Sequence, residues 1–115
     1  MTARAFDLGP VERIPPGEGR AFVVGARHVA VFRTRAGAIY ATQASCPHRQ
    51  GPLADGLLGG HCVVCPLHGF KFDVATGAPM GHSCGALETY PVSLGEDGRI
   101  HLHIPTTVEA ADVHG

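Results

Sequence analysis

Apolar residues fall in short runs separated by turn-forming residues, and no stretch keeps the 3.6-residue spacing of a good helix. The run at residues 21–24 is followed by a longer one at 28–34, which alternates and is rich in β-branched residues. Ala36 and Gly37 then turn the chain into a third run at 38–42. These runs predict a meander of antiparallel strands.

A second hairpin is predicted near the C-terminus. Residues 88–94 and 99–104 flank the turn sequence Gly95-Glu96-Asp97-Gly98. The last strand alternates, so one set of side chains is expected to point inward and two histidines outward (Ile100, Leu102 and Ile104; His101 and His103).

Residues 43–84 differ in character from the rest of the chain. They hold all four cysteines, four of the eight histidines and four of the nine prolines, with few long apolar runs. We therefore expect something other than apolar burial to order this segment.

Composition narrows the class of protein. The chain has 115 residues, enough for one domain, with 16 glycines, 9 prolines and only 17% charged residues, which favours a turn-rich, mostly β protein. Lysine and arginine number 9 against 10 acidic residues, so there is no broad positive field and nucleic acid is not an expected partner. No apolar run approaches the ~20 residues of a membrane span, and no signal-peptide core follows Met1. We expect a cytoplasmic protein that does not contact the membrane.

Cysteines grouped with histidines in a reducing compartment suggest a metal before they suggest disulfides. Cys46 and His48 form a C-x-H pair, Cys65 and His68 form a C-x-x-H pair, and sixteen residues separate the two. Two cysteines and two histidines in this spacing match the Rieske arrangement, in which cysteines ligate one iron of a [2Fe–2S] cluster and histidines the other.

The sequence around these pairs resembles the two cluster loops of Rieske-type ferredoxins. Residues 44–53 and 64–73, followed by Thr76 and Gly77, carry the resemblance, which extends over about residues 6–104. It implies one [2Fe–2S] cluster held by Cys46, His48, Cys65 and His68. It also implies an all-β fold with an antiparallel sandwich or barrel-like base and a small two-loop cluster-binding subdomain.

This resemblance sets the expected domain layout. The whole of 1–115 is one Rieske domain. Its base covers about 5–42 and 86–104, its cluster-binding subdomain covers about 43–85, and the tail at 105–115 is expected to be flexible.

Softer cues are similar to the small subunit of bacterial NAD(P)H-dependent nitrite reductase, at residues 30–33, 56–59, 84–92 and 97–100. This similarity implies one-electron transfer toward a sirohaem-bearing large subunit in nitrate assimilation, with no catalytic site on the chain itself. The first alternative is a free Rieske ferredoxin that delivers electrons to a ring-hydroxylating dioxygenase. The second, of another class, is a non-redox interaction module that a metal stabilises.

Departures from high-potential Rieske proteins predict a low reduction potential. Those proteins carry an extra cysteine in each loop, where this chain has Gly51 and Leu67, so their inter-loop disulfide is absent here. They also place a serine and a tyrosine hydroxyl near the cluster sulfurs, where this chain has Phe70 and Phe72. Without those hydrogen bonds the reduced cluster is less stabilised.

The same residues allow other interpretations. The four ligands could hold structural zinc, and Cys62 with Cys65 could belong to a zinc knuckle or a redox C-x-x-C, although residues three apart on a strand face opposite sides. Several further residues are expected to be ordinary, with a functional role as the alternative. These are Cys62 and Cys84 (a regulatory disulfide), His61 and His82 (a proton relay), His101 and His103 (a metal pair), and Arg49 and Lys71 (a docking patch).

Overall fold

The computed structural model describes residues 3–45, 52–66, 69–81 and 85–105, which contain strands, two 3₁₀ turns and no α-helix. The turns are Val11–Arg13 and Leu53–Asp55. The strands are β1 (Ala3–Pro10), β2 (Glu18–Val24), β3 (Arg27–Arg33), β4 (Ile39–Gln43), β5 (Leu57–Gly59), β6 (Cys62–Val64), β7 (Lys71–Asp73), β8 (Pro79–Met80), β9 (Thr89–Tyr90), β10 (Val92–Leu94) and β11 (Arg99–Pro105).

The strands form three antiparallel sheets. Sheet one has the order β1-β11-β10, sheet two β2-β3-β4-β9 and sheet three β5-β6-β7-β8. Every strand pair in the described residues is antiparallel. The all-β antiparallel fold expected from the sequence is confirmed.

Strand β3 contributes to two apolar cores at once. Val29 and Val31 belong to the first core, and Ala30 and Phe32 belong to the second, and all four residues are fully buried. Because successive side chains of a strand point to opposite faces, sheet two lies between the two cores. The continuous apolar run in this part of the sequence reflects a strand that is buried on both faces.

The first core lies between sheets one and two. The inward residues predicted for the last strand, Ile100, Leu102 and Ile104, are buried in it. His101 and His103 on the opposite face are half-exposed, as expected from the alternation.

The second core lies between sheets two and three. Its buried members from the cysteine-rich segment are Leu53, Val63, Cys65, Phe72 and Val74. The expectation that apolar burial would not order residues 43–84 is therefore wrong. Strands β5, β6 and β7 each supply one inward apolar residue, Leu58, Val63 and Phe72, too few to appear as a run in the sequence, and β3 adds Ala30 and Phe32.

Two further observations bear on expectations from the sequence. The tail predicted to be flexible lies, from residue 106 onward, outside the described residues. Among the described residues, no helix is long and apolar enough to cross a membrane.

Candidate metal centre

The structure describes one of the four predicted ligands. Cys65 is described, and Cys46, His48 and His68 lie outside the described residues. The same holds for Arg49, Gly51, Leu67, His82 and Cys84. The geometry of the candidate centre is therefore read from Cys65 and from the strands that enter and leave the two ligand loops.

The first ligand loop leaves and re-enters the fold at adjacent points. Ser45 and Pro52 form an isolated antiparallel bridge, and the N–H of Leu53 donates to the carbonyl oxygen of Ala44 over 2.9 Å. The loop at 46–51 thus begins and ends at a closed backbone stem. Leu53, directly after the stem, is fully buried in the second core and anchors it.

Gln43 connects this stem to the segment that follows Cys84. Its side-chain Nε2 donates to the carbonyl oxygen of Ser45 over 2.7 Å, and its Oε1 accepts from the N–H of Glu88 over 2.7 Å. Its backbone N–H also donates to the carbonyl oxygen of Glu88 over 2.8 Å. Gln43 was missed from the sequence, because nothing in a single glutamine indicates that its amide spans two segments 45 residues apart.

The second ligand loop is closed even more tightly. The N–H of Cys65 donates to the carbonyl oxygen of Phe70 over 2.7 Å, and the N–H of Gly69 donates to the carbonyl oxygen of Cys65 over 3.0 Å. Gly69 has a φ of +73°, a conformation that L residues with a side chain rarely adopt. This backbone conformation therefore explains why a glycine follows His68 in the sequence.

The two stems rest on the same core. Leu53 from the first and Cys65 from the second belong to one cluster of buried residues, together with Val63 and Phe72. The structure thus brings the bases of the two predicted ligand loops together, although the residues lie more than ten positions apart in the chain.

Cys65 is 1% exposed, and its backbone N–H and carbonyl are both hydrogen-bonded. As a neutral thiol it would act as a small apolar residue in this core, whereas a thiolate there would require an adjacent cation. Two cysteine sulfurs and two imidazole nitrogens are the donor types that a Rieske centre requires. Cys65, buried at the base of its loop, therefore fits the role of one cysteine ligand of such a cluster.

Cys62 occupies a different position from Cys65. It lies on the opposite side of β6 from Val63, pairs with Gly59 and Asp73 across the sheet, and is half-buried. Cys62 and Cys65 are both free thiols in the described residues. In the same ranges, no three His, Cys, Asp or Glu side chains converge on a point that could hold a metal ion, and this includes His101 and His103.

Asp73 and Gly77 have structural roles that explain the sequence around them. Oδ1 of Asp73 accepts hydrogen bonds from the N–H groups of Ala75 and Thr76 at 2.8 and 3.4 Å, and lies 3.2 Å from Nδ1 of His61. Gly77 has a φ of +82°, and a Cβ there would collide with the carbonyl oxygen of Leu87. These contacts fix the β7–β8 hairpin, and His61, in the turn between β5 and β6, contacts it through Asp73.

Comparison with known proteins agrees with this geometry. Residues 4–91 match the model of the Rieske [2Fe-2S] domain. The chain is 35% identical over 106 residues to the ferredoxin component of the naphthalene 1,2-dioxygenase/salicylate 5-hydroxylase systems of a Ralstonia species, an alignment that covers 89% of this chain and 97% of that protein.

Two solved structures are similar in fold. The Sphingomonas yanoikuyae B1 ferredoxin has a TM-score of 0.78 at 33% identity, over 89% of this chain and all of that one. A protein described as the NADH-dependent nitrite reductase small subunit of Mycobacterium tuberculosis has a TM-score of 0.84 at 19% identity, over 91% of this chain and 98% of that one.

These observations define a class of protein. It is an antiparallel β protein with two loops on a shared core, and one of the loops has a buried cysteine at its base. The chain belongs to the Rieske [2Fe-2S] domain family. Membership implies a Rieske-type [2Fe–2S] cluster and electron transfer, in agreement with the expectation from the sequence.

Proposed function

We propose that the chain is the ferredoxin component of a ring-hydroxylating dioxygenase system, and that it delivers single electrons to the oxygenase. The observation that carries the proposal is the 35% identity, over nearly the full length of both chains, to a ferredoxin component of naphthalene dioxygenase and salicylate hydroxylase systems. The alignment covers 89% of this chain and 97% of that ferredoxin component.

The ligand assignment is part of this proposal. Cys46 and Cys65 would bind one iron, and His48 and His68 the other. The cluster, when bound, takes up and releases one electron. Cys65 supports the assignment because its side chain is buried at the base of one loop, while the other loop leaves the same core.

The chain's own residues contribute rigidity around this site. The stem bonds of Ser45 with Pro52 and of Cys65 with Phe70 hold both loop bases in place. Loop bases that are held in this way would limit the reorganisation that accompanies electron transfer. The buried apolar residues under the loops, Leu53 and Phe72, exclude water from the inner side.

A second candidate is the small subunit of an assimilatory nitrite reductase, with a sirohaem-bearing large subunit as partner. The sequence cues at 56–59 and 84–92 favour it, and the M. tuberculosis structure agrees with it in fold. The likeness to dioxygenase ferredoxins carries more weight, because it lies in the sequence as well as in the fold.

A single-turnover assay discriminates between the two candidates. The cluster-loaded chain is reduced, freed of reductant and mixed either with the oxygenase component of a naphthalene dioxygenase plus naphthalene and O₂, or with a nitrite reductase large subunit plus nitrite. With the oxygenase we expect rapid reoxidation of the chain and formation of dihydroxylated product. About two reduced chains should be oxidised for each naphthalene molecule that is dihydroxylated, because dihydroxylation by O₂ consumes two electrons and each chain carries one. The Cys65→Ser variant is the control.

Reoxidation by the nitrite reductase large subunit but not by the oxygenase, with ammonium as product, would favour the second candidate. Failure with both acceptors would reject the proposed function.

A further inference from the structure

Strand β4 ends at Gln43, where the chain leaves sheet two for the first ligand loop. The N–H of Gln43 still donates to the carbonyl oxygen of Glu88 over 2.8 Å, as in an antiparallel ladder. The carbonyl oxygen of Gln43, however, accepts from the hydroxyl of Thr42 over 2.8 Å. The side-chain Oε1 of Gln43 accepts the N–H of Glu88 over 2.7 Å in its place. The side chain therefore completes the ladder at the point where the main chain turns away.

The other end of the same amide bonds to the residue before the first predicted cysteine ligand. Nε2 of Gln43 donates to the carbonyl oxygen of Ser45 over 2.7 Å, and Ser45 immediately precedes Cys46 in the chain. This carbonyl belongs to the peptide group that leads into the first ligand loop, and a peptide group is planar. A hydrogen bond to its oxygen therefore orients the whole group.

Glu88, the residue to which this amide ties the loop, is itself firmly held. Its backbone N–H and carbonyl both bond to Gln43, and its Oε1 accepts from the hydroxyl of Tyr90, a buried residue, over 2.8 Å. Leu87, directly before it, is buried in the second core, which also contains Cys65. Gln43 thus holds the Ser45 carbonyl against a fixed point of the fold.

The segment at Glu88 is also connected to the second ligand loop. The N–H of Leu87 donates to the carbonyl oxygen of Gly77 over 2.7 Å, and the N–H of Gly77 donates to the carbonyl oxygen of Asp73 over 2.6 Å. Asp73 ends strand β7, which directly follows Phe70, the residue whose carbonyl oxygen closes the second loop. Two adjacent N–H groups, of Leu87 and Glu88, therefore bond to the supports of different ligand loops.

We propose that Gln43 is a positioning residue for the iron–sulfur centre, and that its side-chain amide fixes the first ligand loop relative to the second through the segment at 87–88. A cluster that takes ligands from both loops requires their separation to be fixed. Residues that orient metal ligands typically contribute about 10–100-fold to metal affinity. The inference rests on the proposed ligand set and does not depend on which redox partner the chain serves.

Two substitutions separate the two bonds of the amide. Gln43→Glu keeps an oxygen that can accept the N–H of Glu88. At about pH 7 it has no hydrogen for the carbonyl oxygen of Ser45, because the pKa of a glutamate side chain is about 4.3. Gln43→Leu is similar in size and removes both bonds. A comparison of the two variants therefore isolates the bond to Ser45.

Thr34→Val is the matched control. Oγ1 of Thr34 accepts the N–H of Ala38 over 3.0 Å, so this side chain also holds a turn of the backbone. Thr34 directly follows β3, whereas Gln43 pairs with Val29 near the other end of that strand. At about 3.3 Å per residue the two sites are about 16 Å apart along the strand. Thr34→Val should therefore lower stability without affecting either ligand loop.

The cluster-loaded proteins are compared by three measurements. These are the rate at which excess EDTA removes iron, the line width of the electron paramagnetic resonance signal after reduction, and hydrogen–deuterium exchange of the peptide at 85–90. The thermal midpoint is recorded for every variant, so that a change at the cluster is separated from a change in overall stability.

We expect both Gln43 variants to lose iron about tenfold faster than the unmodified chain. This is the low end of the range for residues that orient ligands, because Gln43 acts through the Ser45 peptide group. Both variants should broaden the resonance lines, since a loop without this bond holds the cluster in several orientations. Only Gln43→Leu should accelerate exchange at 85–90, because only this variant loses the bond to Glu88. Thr34→Val should lower the thermal midpoint, with iron loss within about twofold of the unmodified rate and unchanged lines.

Gln43→Glu protein that keeps its iron as long as the unmodified chain and gives equally sharp lines would overturn the positioning role. Iron loss as fast in Thr34→Val as in the Gln43 variants would overturn it too, because overall stability would then account for the effect. A chain that takes up no cluster would overturn the proposed ligand set and this inference with it. Failure of the loaded chain with both electron acceptors would reject the proposed function alone.

Discussion

The α-carbon of Gly56 faces the carbonyl oxygen of Val64 so closely that no side chain fits between them. Val64 is the last residue before Cys65, and Gly56 follows the 3₁₀ turn that anchors the first ligand loop. This contact holds the bases of both ligand loops against each other.

Replacing Gly56 tests the importance of that contact. A Cβ at this position would push β5 away from β6, so we expect Gly56→Ala to lower the free energy of unfolding by about 1–3 kcal/mol, the usual cost of overpacking. Gly59→Ala, three residues further along the chain in β5 and with open space around its Cβ, is the matched control. Urea denaturation measures both variants, and equal stabilities would show that the contact is not a tight one.

The two described cysteines give a second matched pair. Cys65 is buried at the base of a ligand loop, whereas Cys62 lies half-buried on the outer face of sheet three. We expect Cys65→Ser to lose the cluster and lower the thermal midpoint, because the thiolate anchors the iron and metal binding contributes folding free energy. Cys62→Ser should keep its iron, sulfide and colour. Loss of colour in Cys62→Ser would show that the ligand assignment is wrong.

The raised pKa of Tyr90 predicts how the free energy of unfolding changes at alkaline pH. Burial raises the pKa of its phenol, and the hydrogen bond that it donates to Glu88 Oε1 over 2.8 Å, with the charge of that carboxylate, raises the pKa further. Because the folded pKa is above the unfolded value of about 10, the folded state holds the proton more tightly. The contribution of Tyr90 is therefore full below pH ~10 and is lost as the pH rises through the folded pKa.

Denaturation at a series of pH values, with Tyr90→Phe for comparison, isolates this contribution. We expect the unmodified chain to lose its stability advantage over Tyr90→Phe above pH ~10. A difference between the two proteins that stays constant into that range would contradict the assignment.

The reduction potential is expected at the low end of the Rieske range, about −150 mV. Phe70 and Phe72 stand where high-potential relatives carry hydroxyl groups, and the structure places the Phe72 ring fully inside the second core. A redox titration followed by visible absorbance measures the potential. A value in the upper half of the range would mean that other donors stabilise the reduced cluster.

The sequence predicted the strands where the hydrophobic pattern is long and missed them where it is short. The run at 28–34 and the alternation of Ile100 and Leu102 are long enough to identify strands, and both predictions are confirmed. The spacing of Cys65 and His68 indicated a metal centre because metal ligation depends on a few residues of defined chemistry rather than on periodicity.

Of sheet three, only the strand at residues 62–65 was predicted, because the strands of this sheet are only two or three residues long. Their inward side chains, such as Val63 and Phe72, are buried in a core that they share with Ala30 and Phe32 of β3, more than 30 residues earlier in the chain than Val63. Gln43 illustrates the same limit, since its hydrogen bonds join segments that are distant in the chain. Such contacts depend on tertiary packing, which local patterns do not contain.

The proposed electron transfer requires a Rieske cluster that is ligated by Cys46, His48, Cys65 and His68 and accepts one electron. Electron paramagnetic resonance of the reduced protein tests it most directly, with pulsed detection of nitrogen couplings and quantification of iron and sulfide. We predict two irons and two sulfides per chain, one unpaired spin on reduction, and couplings to two imidazole nitrogens. His48→Cys and His68→Cys should each remove one coupling if they retain a cluster. A colourless protein with stoichiometric zinc, or a reduced cluster without nitrogen couplings, would contradict the account.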